Sequence, residues 1–510
     1  MTTTADEAVH RLSPRSIAAT LLPGFAGRVL PDWLGQQLHD GLGGVCLFGN
    51  NISSPTQLRE LTAAILDANP HAIIAIDEEG GDVTRLYYGI GSPFPGNAVL
   101  GRLDDTTATE AVATAVGWQL RAAGCTVTFA PDVDVNSNPD NPVIGTRSFG
   151  TTPELVARHS AAWITGLQAT GIAASAKHFP GHGDTAQDSH LALPVVDRSR
   201  RQLRERELVP FVAAIASGAK TIMTSHILLP QLDPDNPATL SSTMLTGLLR
   251  GELGFDGVIV SDALDMKGAS GALGIPATAV RALAAGCDLL CIGTDNTAEQ
   301  LARIEEEILT ALDDGRLEAT RVADAARRVL ELADNLATER ERIRVPADTA
   351  ATEPHFDVDR VTASFARRPG ADAWVVAAAG RFTVVRIDTL ANIAVGQAAW
   401  GPFAHLLAHP DAPEAVAFAA HPLVVVTEAG STGAGSTGTV PEAHDPVVVI
   451  GKDNHRHPFA RAAIDRLRVG GREVLVIDMG WPSDDRAYAD VATFGASRLV
   501  GQALLRYLQP

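Results

Sequence analysis

A chain of 510 residues, 45% hydrophobic and 20% charged, is long enough for two or more domains with large cores. Its 60 acidic against 41 basic side chains give a net charge of −19, which argues against nucleic acid or an anionic membrane as partner, since both need a basic face. No run of about 18 apolar residues offers a spanning helix, and no basic-then-apolar leader opens the chain, so a cytoplasmic protein is expected.

Short apolar runs recur along the first 295 residues: 18–25 (AATLLPGF), 43–48 (GGVCLF), 72–77 (AIIAID), 127–135 (VTFAPDVDV), 172–179 (IAASAKHF), 221–227 (TIMTSHI), 257–264 (GVIVSDAL) and 288–293 (DLLCIG). They are short and apolar throughout, the pattern of strands buried on both faces of a parallel sheet. Helical stretches such as TQLRELTAAILDA and RQLRERELVPFVAAIASG separate them. Strand and helix in alternation predict an α/β fold, a (β/α)8-type, TIM-like barrel. Cys46, Cys125, Cys287 and Cys291 lie in or beside these apolar segments and read as buried thiols; Cys287 and Cys291 lack partners for a zinc site.

The barrel closes with a helix over 320–343, placing a first domain at 1–345 and a Pro/Ala/Thr-rich linker at 346–356. Strand-like runs then restart over 357–510 (AWVVAA, FTVVRI, LVVVTE, VVVIG, EVLVID), alternating with helical segments such as PFARAAIDRLRVGG. They predict a smaller α/β sandwich domain. GSTGAGSTG (430–438) reads as a loop. GKDNHRH (451–457), with Lys452 and Arg456 before a helix, reads either as an anion-binding turn or as a plain surface loop.

In a barrel of this kind the chemistry sits at the C-terminal ends of the strands. Polar residues gather there: Asp77, Asp132 and Asp134, Lys177 and His178, Ser225 and His226, and Asp262. The densest stretch is KHFPGHGDTAQDSH (177–190). Its His178, His182 and His190 have the chemistry of zinc ligands, but Pro180, Gly181 and Gly183 keep His178 and His182 off a single helix face, so no metal is expected. Asp188 beside His190 suits proton transfer instead, the carboxylate orienting a ring that titrates near neutrality. Asp262, where a buried strand emerges, has the position of a carboxylate nucleophile and equally that of a helix cap.

The stretches LLPGFAG, GGVCLFGNNI, AIDEEGGDVTRL, FAPDVDVNSNPDNPVIGTRSFG, AKHFPGHGDTAQDSH, ELVPF, IMTSHI and GFDGVIVSDALDM span roughly residues 20–340. Together they resemble glycoside hydrolase family 3, and within it the β-N-acetylglucosaminidase (NagZ-type) branch in its two-domain form. KHFPGHG with a downstream DSH is specific to that branch. The resemblance implies Asp262 as nucleophile, His190 as acid/base and Asp188 as its helper. It further implies Asp77, Arg85, Arg147, Lys177 and His178 on the sugar, His226 lining the pocket, and no metal or organic cofactor. Many relatives have Gln at position 78 and Arg at position 82, where this chain has Glu78 and Asp82.

The function implied is removal of terminal β-linked GlcNAc from peptidoglycan-derived muropeptides or related glycosides, by a retaining, exo-acting hydrolase. Two alternatives stay open at this point: a phosphorylase using the same His190, since a neutral histidine base repels incoming phosphate less than a carboxylate does, and a sugar-binding protein without turnover. The partner in each case is a small carbohydrate.

Overall fold

A computed structural model of the chain describes residues 14–187, 193–271, 273–349, 355–389, 392–428 and 446–509. The chain divides into two compact units. One comprises Met1–Glu79, Thr106–Ser137 and Gly150–Glu353, the other Gly80–Asp105, Asn138–Phe149 and Pro354–Pro510. The division is therefore not the single cut that composition suggests: two segments that follow early strands pack with the C-terminal part. Helix Asn97–Leu103 explains the first, because Val99 joins the apolar cluster of Val361, Val448 and Leu504 while Arg102 donates to the Ser364 carbonyl.

In the first unit the apolar runs form parallel strands β1 (Leu21–Phe25), β2 (Gly44–Leu47), β3 (Ile73–Ile76), β4 (Val127–Thr128), β5 (Ala173–Phe179), β6 (Thr221–Thr224), β7 (Val258–Val260) and β8 (Leu290–Asn296). β2 to β7 pair in sequence order, β1 pairs with β8, and a bridge from Val260 to Leu289 ties β7 to the start of β8. Leu22, Cys46, Ile73, Val127, Ala173, Met223, Val258 and Cys291 come from these eight strands into one apolar cluster, as the filled interior of a TIM-like barrel requires. β4 is shorter than its apolar run, but backbone bonds continue past it, from Phe129 N–H to Ile76 O at 2.9 Å and from Ser175 N–H to Ala130 O at 2.8 Å, up to a bridge from Asp132 to Lys177.

The intervening helices start where their sequences say they should. Ser54 accepts the Gln57 N–H at 3.1 Å with Pro55 in the first helical position, opening Pro55–Ala68. The long stretch after residue 200 is two helices, Arg200–Glu205 and Leu208–Ala216, since Pro210 cannot bond back to Arg206. Helix Ala319–Arg342 buries Val322, Ala325, Ala326, Val329, Leu332, Ala333 and Leu336, a stripe at helical spacing, and Val329 to Leu336 complete the barrel's apolar cluster.

The second unit is a three-layer α/β sandwich. Its strands β9 (Ala366–Arg367), β10 (Thr383–Asp388), β11 (Leu423–Thr427), β12 (Val447–Gly451), β13 (Val474–Asp478) and β14 (Val491–Ala492) lie in the order β11-β10-β12-β13-β14-β9, parallel except for edge strand β9. Val384, Val448, Ile450, Leu475 and Ile477 face one apolar layer; Val385, Ile387, Val447, Val449 and Val476 face the other. Both faces being covered, these strands read as unbroken apolar runs. AWVVAA is a correction: it lies in helix Ala371–Ala378, burying Ala371, Val375 and Ala378 and exposing Val376. GSTGAGSTG lies outside the described residues. No helix among the described residues is long and apolar enough to cross a membrane.

Candidate active site

β5 delivers Lys177 and His178 as consecutive residues. Its pairing with β6 shifts register between Ala176 and Phe179, and the two side chains turn to different neighbours. Lys177 is only 2% exposed, and its ammonium lies 2.8 Å from Asp77 and 2.7 Å from Glu79, both just past the end of β3. A buried lysine needs such anions, and here they fix its reach at the C-terminal end of the barrel. Glu79 went unnoticed in the sequence, where nothing distinguishes it from its neighbour Glu78.

His178 turns to the loop after β4. Its Nδ1 sits 2.7 Å from Asp134 Oδ2, while Asp134 Oδ1 accepts the N–H of His182 at 2.6 Å and that of His178 at 3.3 Å. Asp132, Asp134 and His178 place potential ligand atoms within 4.8 Å of one another. The hydrogen bonds already account for the closeness of Asp134 and His178, and Asp132 Oδ1 accepts the Asp134 N–H at 3.0 Å. His182 bonds through Nδ1 to Thr185 Oγ1 at 2.7 Å, a brace for the turn.

The segment leaving His182 is held close to its surroundings. A Cβ on Gly183 would sit 1.8 Å from the Val135 carbonyl oxygen, so only glycine fits there. Asp184 then takes Ser137 Oγ at 3.2 Å, Arg198 Nε at 2.8 Å and Arg206 at 2.9 Å. Burial opposes its ionisation, yet the two arginines hold its carboxyl below the ordinary value. On the returning side Val196 N–H donates to Leu228 O and Leu228 N–H to Pro194 O, each at 2.9 Å. Asp188 and His190, the acid/base pair expected from sequence, fall between these anchors and outside the described residues.

Asp262 follows β7, as expected of a group at a strand's C-terminal end. Its Oδ1 accepts the Ala263 N–H at 2.8 Å, and its own N–H points to Thr224 Oγ1 at 3.3 Å. His226, expected to line the pocket, lies on the loop after β6. It is fully buried, with Nδ1 2.9 Å from Thr239 Oγ1 and Nε2 3.0 Å from the Ala263 carbonyl, so its ring is engaged by protein.

Arg85 and Arg147 belong to the second unit. The Arg85 guanidinium donates to the carbonyls of Ala394 (2.7 Å) and Val395 (3.3 Å). Buried Arg147 donates to Val143 O at 3.2 Å, and its own carbonyl accepts from Asn97 at 2.6 Å. Beside them, Asp82 accepts from Thr146 Oγ1 (2.9 Å) and the Ala496 N–H (2.7 Å). Burial raises its pKa, and Lys452 opposes the rise. Lys452 lies 5.0 Å from the Trp400 ring; burial lowers its pKa, with Asp82, Asp453 and Asp388 acting the other way. In the turn 451–457, Arg456 donates to the Asn141 carbonyl at 2.9 Å. Asp478 accepts the N–H groups of Asp453, Asn454 and Gly480 and locks that turn.

Residues 32–332 match the Glycosyl hydrolase family 3 N terminal domain. The chain is 40% identical over 283 residues to a beta-hexosaminidase of Stenotrophomonas maltophilia, covering 53% of this chain and 82% of that one. It is 36% identical over 341 residues to Beta-hexosaminidase A of Pseudoalteromonas piscicida, covering 62% of this chain and 57% of that one, so it spans little over half of that relative. Among solved structures, a glycoside hydrolase family 3 beta-N-acetylglucosaminidase from Paenibacillus aligns with a TM-score of 0.82 at 29% identity, over 98% of this chain and 96% of that one.

Proposed function

The chain belongs to glycosyl hydrolase family 3, and from that premise we propose that it is a retaining, exo-acting β-N-acetylglucosaminidase. The observation that carries the reading is the placement of Asp77, Lys177, His178 and Asp262 just past or within the ends of β3, β5 and β7 of one barrel sheet. The Paenibacillus neighbour, alike over nearly the whole length, is a beta-N-acetylglucosaminidase.

In this mechanism Asp262 attacks the anomeric carbon while His190, oriented by Asp188, protonates the departing oxygen. The C–O bond to the aglycone breaks as the bond from the sugar to Asp262 forms. His190 then takes a proton from water, which displaces Asp262 and restores the β configuration. Lys177, His178 and Asp77 hold the sugar's hydroxyls, leaving the anomeric carbon as the part free to move. The substrates we propose are GlcNAc-capped muropeptides of peptidoglycan recycling or related glycosides, cleaved in the cytoplasm.

The test is cleavage of 4-nitrophenyl β-GlcNAc in phosphate-containing and phosphate-free buffer, with products identified. Free GlcNAc of β configuration in both buffers is expected. GlcNAc 1-phosphate, formed faster as phosphate rises, would make it a phosphorylase. Asp262→Ala should lower turnover by about 10⁴-fold or more, and undiminished turnover would remove Asp262 as nucleophile.

A further inference from the structure

Around the proposed nucleophile the hydrogen bonds close on themselves. The Asp262 N–H faces Thr224 Oγ1 (3.3 Å). Thr224 Oγ1 lies 2.8 Å from Thr239 Oγ1, which lies 2.9 Å from His226 Nδ1; His226 Nε2 lies 3.0 Å from the carbonyl of Ala263. The path leaves the backbone at residue 262 and returns at residue 263. Thr224, His226 and Thr239 are all 0% exposed.

Proton counting gives the path a direction. A carbonyl only accepts, so Nε2 carries the ring hydrogen, and a neutral ring then accepts at Nδ1. Thr239 supplies that hydrogen, Thr224 supplies one to Thr239, and the Asp262 N–H supplies one to Thr224. Each hydroxyl donates once and accepts once. The Ser225 carbonyl, 2.9 Å from Thr239 Oγ1, also receives the Thr239 N–H at 3.2 Å and does not need the hydroxyl's hydrogen.

We propose that this ring of Thr224, Thr239 and His226 fixes the backbone on either side of the Asp262–Ala263 peptide, making His226 a positioning residue for the nucleophile rather than a sugar contact. The inference rests on the reading of Asp262 as nucleophile. Its physical basis is local. The nucleophile stands two residues past a three-residue strand, between the last inter-strand backbone bonds, from Ser261 N–H to Leu289 O and from Leu264 N–H to Cys291 O, each at 2.9 Å. In the interval between those bonds, buried side chains from the neighbouring strand end engage the Asp262 N–H and the Ala263 carbonyl. A carboxylate that must meet a carbon within a fraction of an ångström gains from a backbone held on both sides of the Asp262–Ala263 junction.

The proposal separates two roles that an activity loss alone would confuse. Parent, His226→Ala, His226→Gln, Thr239→Val, Thr239→Ser and Asp262→Ala are assayed on 4-nitrophenyl β-GlcNAc. Each also gives an inhibition constant for GlcNAc and a melting temperature. Bracing predicts that His226→Ala and Thr239→Val lower kcat by about 10- to 100-fold with GlcNAc inhibition within about threefold of the parent. Thr239→Ser, which keeps the hydroxyl, and His226→Gln, which keeps a donor toward Ala263, should recover part of the loss. A GlcNAc inhibition constant that rises in step with the loss in His226→Ala would overturn the proposal in favour of a sugar contact. If Thr239→Val matches the parent while Asp262→Ala is inactive, the ring fails and the nucleophile reading stands. If Asp262→Ala turns over like the parent, the nucleophile reading fails and the bracing role falls with it. Should His226→Ala not fold, the near-isosteric Thr239→Val carries the test.

Discussion

Lys177 illustrates how one side chain serves both stability and binding. Its ammonium is held between Asp77 and Glu79 in a nearly dry setting. Lys177→Met keeps the stem's volume and removes the charge, so two carboxylates face each other without the cation between them. Stability should fall by about 3–5 kcal/mol in urea unfolding, and kcat/KM by about 100-fold or more; a smaller stability change would mean the carboxylates find other compensation. Asp184 gives a pH signature. Its carboxyl is held below its ordinary value, so its stabilisation is present above the unfolded carboxylate range and is lost as pH falls through the lowered value. Asp184→Asn should melt earlier than the parent near neutrality, with the gap closing on acidification below about pH 4. A gap independent of pH would show that charge is not what Arg198 and Arg206 recognise. At this scale the sequence was only partly legible. Lys177, His178, Asp77 and Asp262 announced themselves by charge at the ends of apolar runs. Glu79, Thr224 and Thr239 carry no such signal, because their importance lies in distances between strands that are far apart in the chain.

At the scale of elements, the last barrel helix has the clearest energetic role. Leu336, 4% exposed, ends the stripe that seals the apolar interior. Leu336→Ala should cost about 2–5 kcal/mol, read as a lower urea midpoint with an unchanged slope. This helix was legible because its apolar residues repeat at helical spacing over 24 residues. AWVVAA was not, since six apolar residues in a row fit a buried strand as well as a buried helix turn, and the burial of Ala371, Val375 and Ala378 at helical spacing is what separates them. β9 and β14 have two residues each, too few for any periodicity. The run after β4 keeps backbone bonds to both neighbouring strands as far as the bridge at Asp132, though only Val127 and Thr128 are regular strand.

The whole molecule depends on a unit assembled from three separated stretches. A fragment of residues 1–353 would retain Gly80–Asp105 and Asn138–Phe149 without the C-terminal stretch they group with. Val99 would lose its apolar cluster, and Ala98 its contacts with Ala492 and Phe494. Such a fragment should lose cooperative thermal unfolding or aggregate on a sizing column. Unfolding as sharp as that of the full chain would show that the two segments are optional there. The linear boundary at 345–357 followed composition, which has no means of recording that a barrel's loops belong elsewhere.

That interleaving also bears on how the chain comes off the ribosome. Residues 80–105 emerge about 250 residues before the stretch beginning at Pro354 that they group with, an interval of roughly 10–50 s at ordinary elongation rates. During that time Val99 and the face of helix Asn97–Leu103 stay uncovered on a nascent chain whose barrel strands are already available to pair. Synthesis speed over residues 106–353, and chaperones that shield apolar loops meanwhile, therefore become part of what determines the yield of folded protein.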